Sequence, residues 1–359
     1  MTARIENVRR LFEKLDINGL IVTDGDNMKY LTGFYGGTGD GLVLIGAEKA
    51  ALITDARYED DMRTKLPEDV QLLVTRDYWG VAMAAAKRYA ITKLGFEDTI
   101  PYRDFDYIDE NFVGEDIAPV PGLVEAIREV KDEQELNALR KSAEVAVAGF
   151  EELLTVVHVG MTEREVANTL DAIMRRRGAT KASFDTIVAS GVNSSLPHAE
   201  ATDKVIETGD LVTIDFGYYV DGYTSDVTRT IAFGEIDKEL KIIYDVTKQA
   251  NEATLAATHA EMASAELDAV ARDVIAQAGY DKQFTHGLGH GVGLAIHEGP
   301  YIGKTSEDLL HAGMLLTIEP GIYLTGKGGV RIEDDIIVTT DGMENLTAGL
   351  TKELIVIEK

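Results

Sequence analysis

The sequence predicts a mixed α/β fold in two parts: a smaller α/β domain over residues 1–128, then a larger one over 129–359 built from two copies of one unit. Three observations lead there. The 359 residues suffice for two domains that each bury a core. The first part alternates helix-like and strand-like segments. The second part matches itself at a nearly constant shift.

In the first part, Ile5, Val8, Leu11, Phe12 and Leu15 recur at helical spacing, and residues 19–23 follow as a short apolar strand. Further strands are expected over 41–45, 50–54, 70–74 and 93–97, with a helix around Val81–Ile91. Gly36, Gly37, Gly39 and Gly41 miss the phosphate-binding G-x-G-x-x-G pattern, because Leu42 stands where the third glycine belongs. They read as turn residues. The boundary is placed near Pro121–Arg128. Beyond it, Asp132 and Glu135 form a capping-box pair opening a long helix, whose apolar stripe runs from Leu136 to Val157. A second helix opens at Thr162, with Glu165 three residues on, and ends at Gly178.

The repeat then shows itself. Residues 161–178 match 262–279 at an offset of 101, sharing the opening Met, the Glu165/Glu266 pair and the closing glycine. A long helix precedes each, over roughly 132–157 and 236–258. "GDLVTIDFG" (209–217) matches "GMLLTIEPG" (313–321) at 104, aligning Asp215 with Glu319. The strands that follow supply Asp226 and Glu333, at 107, and His198 answers His297 at 99. A duplicated helix–helix–strand–strand unit about a pseudo-twofold axis brings these residues together at its centre. A turn near Val220–Gly222 makes Asp215 and Asp226 opposite or diagonal neighbours on one sheet face; a turn through 325–329 puts Glu319 near Glu333. Four carboxylates converging in apolar sequence repel one another and lose hydration, so they are protonated or held by cations.

Composition limits the partners. With 62 acidic against 35 basic residues the net charge is -27, which argues against nucleic-acid or anionic-lipid ligands. Both parts are acidic, so the charge reads as a solvated surface. There is no cysteine, hence no disulfide, thiolate metal site or cysteine nucleophile. No apolar run approaches the length of a membrane span and no secretory signal is visible, so a cytoplasmic protein is expected.

Divalent cations are the better explanation for the carboxylates. Oxygen ligands with an imidazole suit Mn, Co, Fe or Zn, and His290 or His286 in the run "HGLGHGVG" (286–293) is placed to supply it. Two such ions sharing carboxylates generate a hydroxide at neutral pH and polarise a carbonyl, which points to a dinuclear hydrolase.

The ordered motifs "TIDFG", "TSDVTRT", "HGLGHGVG", "IHEGP", "TIEPGIY" and "VRIEDD" resemble the Xaa-Pro peptidases of the pita-bread fold, prolidase and aminopeptidase P. The resemblance covers 129–359 closely and extends to 1–128 as a creatinase-type N-terminal domain. It implies two divalent ions, manganese foremost, with Asp215 chelating one, Asp226 and Glu333 bridging both, and His290 and Glu319 completing the second. It also implies that a metal-bridging hydroxide attacks the scissile carbonyl while Glu319 shuttles the proton to the leaving nitrogen. His198 and His297 would bind that carbonyl, Arg331 would orient Glu333 or bind substrate, and His286 and Phe184 would line the pocket. The expected substrate is a small peptide with proline second, and the expected assembly a homodimer.

Several plainer readings stand beside these. Asp334 and Asp335 read as hairpin or surface charges, Asp221–Gly222 as a turn, and His158, His259 and His311 as structural. A ligand-free binding protein of the same fold is disfavoured because all five ligand positions are filled. The N-terminal domain argues against a short methionine aminopeptidase, and the intact ligand set against creatinase. Between Glu298 and Thr317 there is no arginine to clamp a dipeptide's carboxylate, which keeps aminopeptidase P as the alternative to a prolidase-like dipeptidase.

Overall fold

The computed structural model describes residues 2–358. The chain forms two compact units, one ending at Arg128 and the other starting at Glu129.

The first unit runs α1 (Thr2–Arg9), β1 (Gly19–Val22), α2 (Gly25–Thr32), β2 (Gly41–Gly46), β3 (Ala50–Thr54), α3 (Glu59–Lys65), β4 (Val70–Val74), α4 (Tyr78–Arg88), β5 (Lys93–Phe96), α5 (Tyr102–Asn111), β6 (Asp116–Pro119) and α6 (Leu123–Glu129). Its six strands form one mixed sheet in the order β4-β3-β2-β1-β5-β6. Strands β1, β2 and β3 are buried along their whole length, which is why they read as unbroken apolar runs. The expected first helix is shorter than its apolar stripe. After Arg9 the chain continues in turns to Asp16, yet Phe12 still reaches the core. Helix α2 starts where the Asp24 side chain accepts from the Asp26 and Asn27 amides, and ends at Gly33 with φ 76°.

The second unit opens with α7 (Glu133–Leu154), α8 (Glu163–Arg176), β7 (Lys181–Ala182), β8 (Ile187–Ser190) and a 3-10 turn over Gly191–Ser195. Strands β9 (Leu211–Phe216), β10 (Tyr218–Val220), β11 (Tyr223–Thr224) and β12 (Val227–Phe233) follow. The second half runs α9 (Lys238–Ala257), α10 (Ser264–Gln277), β13 (Gly289–Gly291), β14 (Glu298–Ile302), β15 (Leu315–Ile318), β16 (Gly321–Leu324), β17 (Gly328–Arg331), β18 (Asp334–Thr339), β19 (Gly342–Asn345) and β20 (Val356–Ile357). Both capping boxes form, Asp132 with Glu135 and Thr162 with Glu165. Helices α8 and α10 start and stop in register with the repeat, 101 residues apart at each end.

In each half a helix pair packs on a sheet. The first sheet is β20-β12-β9-β8 and the second β14-β13-β15-β18-β19. Phe150 of α7 stacks on Phe216 of β9, ring centroids 5.6 Å apart, inside a cluster that includes Val166, Leu170 and Ile214. Leu267 and Ala271 of α10 meet Leu316, Ile318 and Ile336 in the same way. Each such fully buried Leu, Ile or Phe stabilises the fold by about 1.5–3 kcal/mol before chain entropy is subtracted.

Each half ends in a long hairpin with a break partway along both strands. In the first, Asp215 pairs with Thr228 and Val220 with Tyr223, so one register runs through the break at Gly217 and Ser225–Asp226. Asp221 and Gly222 both have positive φ, as a two-residue type I′ turn requires. In the second, Ile318 pairs with Asp334 and Gly321 with Arg331, leaving Glu319 and Pro320 facing Ile332 and Glu333. Among the described residues, no helix is long and apolar enough to cross a membrane.

Candidate active site

The hairpin breaks place the acids. Asp215 lies on β9, and Asp226 just precedes β12, diagonal to it on the same face. Glu319 faces Glu333 where Pro320, lacking an N–H, interrupts the second hairpin. The two hairpins then join. The Glu333 amide donates to Thr228 O at 3.1 Å, and Thr228 Oγ1 donates to Glu333 Oε2 at 2.6 Å. One carboxylate oxygen from each of Asp215, Asp226 and Glu333 lies within 4.8 Å of the other two.

His290 completes the cluster from β13. Its Nε2 is 3.6 Å from Asp226 Oδ2 and 3.7 Å from Glu319 Oε1. Its Nδ1 meets Gly291 O at 3.0 Å, and only a protonated Nδ1 can donate there, which leaves the Nε2 lone pair facing the carboxylates. The neighbouring glycines make this approach feasible. A Cβ on Gly289 would sit 2.0 Å from Thr317 O, and one on Gly291 2.0 Å from Gly299 O.

Electrostatics mark the cluster as incomplete by itself. Burial, reinforced by neighbouring carboxylates, pushes the Asp226 and Glu333 carboxyls well above their ordinary values. Burial also pushes Glu319 up to about 8 and holds the His290 imidazolium down to about 4. Asp215 Oδ1 is buried without a hydrogen-bond partner among the described residues.

Arg331 is committed to this framework. Its Nη2 donates to Asp215 Oδ2 at 2.6 Å, Nη1 to Tyr323 Oη at 2.7 Å and Pro197 O at 3.2 Å, and Nε to Thr228 Oγ1 at 3.1 Å. It therefore orients Asp215 directly and reaches Glu333 only through Thr228. Tyr323, which closes the "TIEPGIY" motif but carries no role in the sequence reading, also lies 3.0 Å from His286 Nε2. Asp334 and Asp335 are fully buried, which corrects their reading as surface charges. Asp335 Oδ2 accepts the Asp226 amide at 2.9 Å, and Asp334 Oδ1 accepts from Arg229 and Thr347, each at 2.8 Å. Both faces of β18 are covered from Asp334 to Val338.

A cavity of about 670 Å³ opens onto the carboxylates. Phe184, Ile187, Pro197 and His198 line it, as do His286, Ile302 and His297. The His297 ring packs edge-on against His290, centroids 4.6 Å apart. The ten site residues singled out in the sequence all line this one cavity. His158, His259 and His311 are not among its lining residues.

Residues 137–340 match the metallopeptidase family M24, and residues 4–130 the creatinase/prolidase N-terminal domain. The chain belongs to metallopeptidase family M24. This M24 chain is 34% identical to an Xaa-Pro dipeptidase of Pyrococcus horikoshii, over 97% of each protein. Among solved structures it superposes on an Xaa-Pro dipeptidase from Bacillus anthracis with a TM-score of 0.96 and 42% identity, over 99% of both chains. An X-Pro aminopeptidase from Thermotoga maritima matches with a TM-score of 0.88 and 34% identity, over 96% of this chain and 99% of that one. The architecture is the pita-bread catalytic fold of this family behind a creatinase-type N-terminal domain.

An M24 peptidase works with divalent metal ions, and the residues present fit them. The orphaned Asp215 Oδ1, the free Nε2 of His290 and the crowded carboxylates form a set of hard oxygens with one imidazole. Divalent charge at this point relieves the repulsion that burial otherwise imposes.

Proposed function

We propose that this M24 peptidase hydrolyses the Xaa-Pro bond of dipeptides, with two divalent ions, manganese foremost, held by Asp215, Asp226, His290, Glu319 and Glu333. The observation that carries this reading is the convergence of carboxylates from both repeat halves on the His290 Nε2 lone pair, at the floor of a cavity large enough for a short peptide. When bound, such ions supply Lewis acidity and an activated water.

The protein's own groups do the rest. Glu319 takes the proton released on attack and delivers it to the departing proline nitrogen. His198 and His297 face the cavity and donate hydrogen bonds to the scissile carbonyl oxygen as charge develops on it. Arg331 fixes Asp215, and His286 stands behind it through Tyr323. Phe184, with Ile187 and Pro197, offers an apolar wall for the proline ring.

Residues 129–359 act in this reading as the catalytic domain and 1–128 as an accessory domain; every site residue named comes from the former. A homodimer and a cytoplasmic location complete it, supported by the family likeness and by a cysteine-free, acidic sequence. Cleavage of peptides longer than two residues is a second reading. Among the described residues lining the cavity, Arg331 is the one arginine or lysine, and it is buried and engaged with Asp215. Assays of Xaa-Pro against Xaa-Pro-Yaa with the same first residue separate the two. Higher kcat/KM on the dipeptide is expected; a marked preference for the tripeptide overturns the dipeptidase reading.

A further inference from the structure

We infer that Glu163 is a positioning residue for His198, pinning both ends of the segment that carries it; this rests on the role proposed for His198 above. Glu163 is the first residue of α8, where an acidic side chain is normally solvated, yet it is fully buried. Its Oε1 accepts from Ser190 N at 2.7 Å, Ser190 Oγ at 2.7 Å and Asn193 Nδ2 at 3.0 Å. Its Oε2 accepts from Thr202 N at 3.0 Å, Thr202 Oγ1 at 2.5 Å and again from Asn193 Nδ2.

Ser190 ends β8 and Thr202 lies four residues past His198, so one carboxylate grips both ends of the segment between them. The middle is held by the Arg331 bond to Pro197 O. His198 itself is exposed at the cavity wall, and among the described residues its ring makes no hydrogen bond. Its position therefore follows from where its backbone is fixed. The other half of the repeat lacks this device. The equivalent first residue of α10 is Ser264, whose buried Oγ has no partner among the described residues. A carboxylate at this place is thus no general requirement of the repeated unit, and it occurs on the side that presents His198.

The test is a double-mutant cycle on the metal-loaded full chain, with an Xaa-Pro dipeptide as substrate. Glu163→Gln keeps the shape but turns an amide N–H₂ towards groups that are themselves donors. It is expected to lower kcat/KM about 10- to 100-fold, with metal content unchanged. In a His198→Ala background the same change is expected to lower it less than about twofold, since a shared pathway makes the effects non-additive. Thr202→Val removes one of the six bonds to Glu163 and keeps the fold should Glu163→Gln fail to fold; it is expected to give a smaller loss that also vanishes in His198→Ala. Wild-type activity in Glu163→Gln, or losses that multiply in the double variant, overturns the proposal. If His198→Ala alone leaves kcat/KM unchanged, the role given to His198 is what fails, and the positioning role falls with it.

Discussion

Arg331 Nη2 donates to Asp215 Oδ2 at 2.6 Å, tying a residue of the second hairpin to a carboxylate of the first. With its other bonds to Tyr323, Pro197 and Thr228, the guanidinium is a planar fork filled by the site's own framework. Lysine cannot reproduce that fork. Arg331→Lys is expected to weaken metal binding and lower kcat about 10- to 100-fold while KM changes little. Calorimetric metal titration with steady-state kinetics checks this. A raised KM at unchanged kcat would instead show that Arg331 binds substrate.

Arg229, on β12, is a second buried arginine. It is 1% exposed and donates to Asp334 Oδ1, Leu350 O, Thr228 O and Glu333 O. Asp334 is held below its ordinary value because, against its burial, Arg229 and Lys352 favour the charged form. Arg229→Met leaves that carboxylate with Lys352 and the Thr347 hydroxyl, and orphans several carbonyls. A loss of about 3–5 kcal/mol in stability is expected by urea denaturation.

Glu163 gives a pH dependence with a definite sign. Burial alone would raise its carboxyl, but bonds from Thr202 and Ser190 outweigh that and set it below its ordinary value of 4.5. A lowered folded-state value means stability that is fully present above 4.5 and lost as pH falls through the folded value. The stability advantage of wild type over Glu163→Gln is therefore expected to be flat from pH 7 to about 5 and to shrink below it. Urea midpoints measured along that range check the sign; an advantage that grows on acidification would contradict it.

Gly289 offers a test of the close packing beside His290. The Cβ of Gly289→Ala would lie 2.0 Å from Thr317 O, so β13 must move and carry His290 away from Asp226 and Glu319. Wild type at 100-fold excess of ion over Kd is expected to gain about 2.7 kcal/mol from metal. Gly289→Ala is expected to lose most of that gain, read as the rise in Tm on adding Mn.

Much of this site is legible in the amino-acid sequence. The carboxylates sit in a repeat, and repetition turns scattered acids into a constellation: Asp215 with Glu319, Asp226 with Glu333. The hairpin register then follows from two turns rich in glycine. Tyr323 is not legible, because a tyrosine on a buried strand looks like core until its hydroxyl is seen between Arg331 and His286. Asp334 and Asp335 escape for the opposite reason: buried charges paired with distant Arg229 or with a backbone amide carry no local signal. In the first unit, periodicity does not reveal α2, α3 or α5. Each is ten residues or fewer, and α3 and α5 are rich in acids, so tertiary packing establishes them.

The measurement that bears most directly on the site is metal content and Xaa-Pro hydrolysis, taken together on wild type and Asp226→Asn. Wild type is expected to bind two divalent ions per chain and to cleave the dipeptide only when loaded, while Asp226→Asn, folded by its melting curve, binds fewer ions and is inactive. A wild-type chain that binds no divalent ion, or cleaves equally well after exhaustive chelation, would contradict the metal centre assigned to Asp215, Asp226, His290, Glu319 and Glu333.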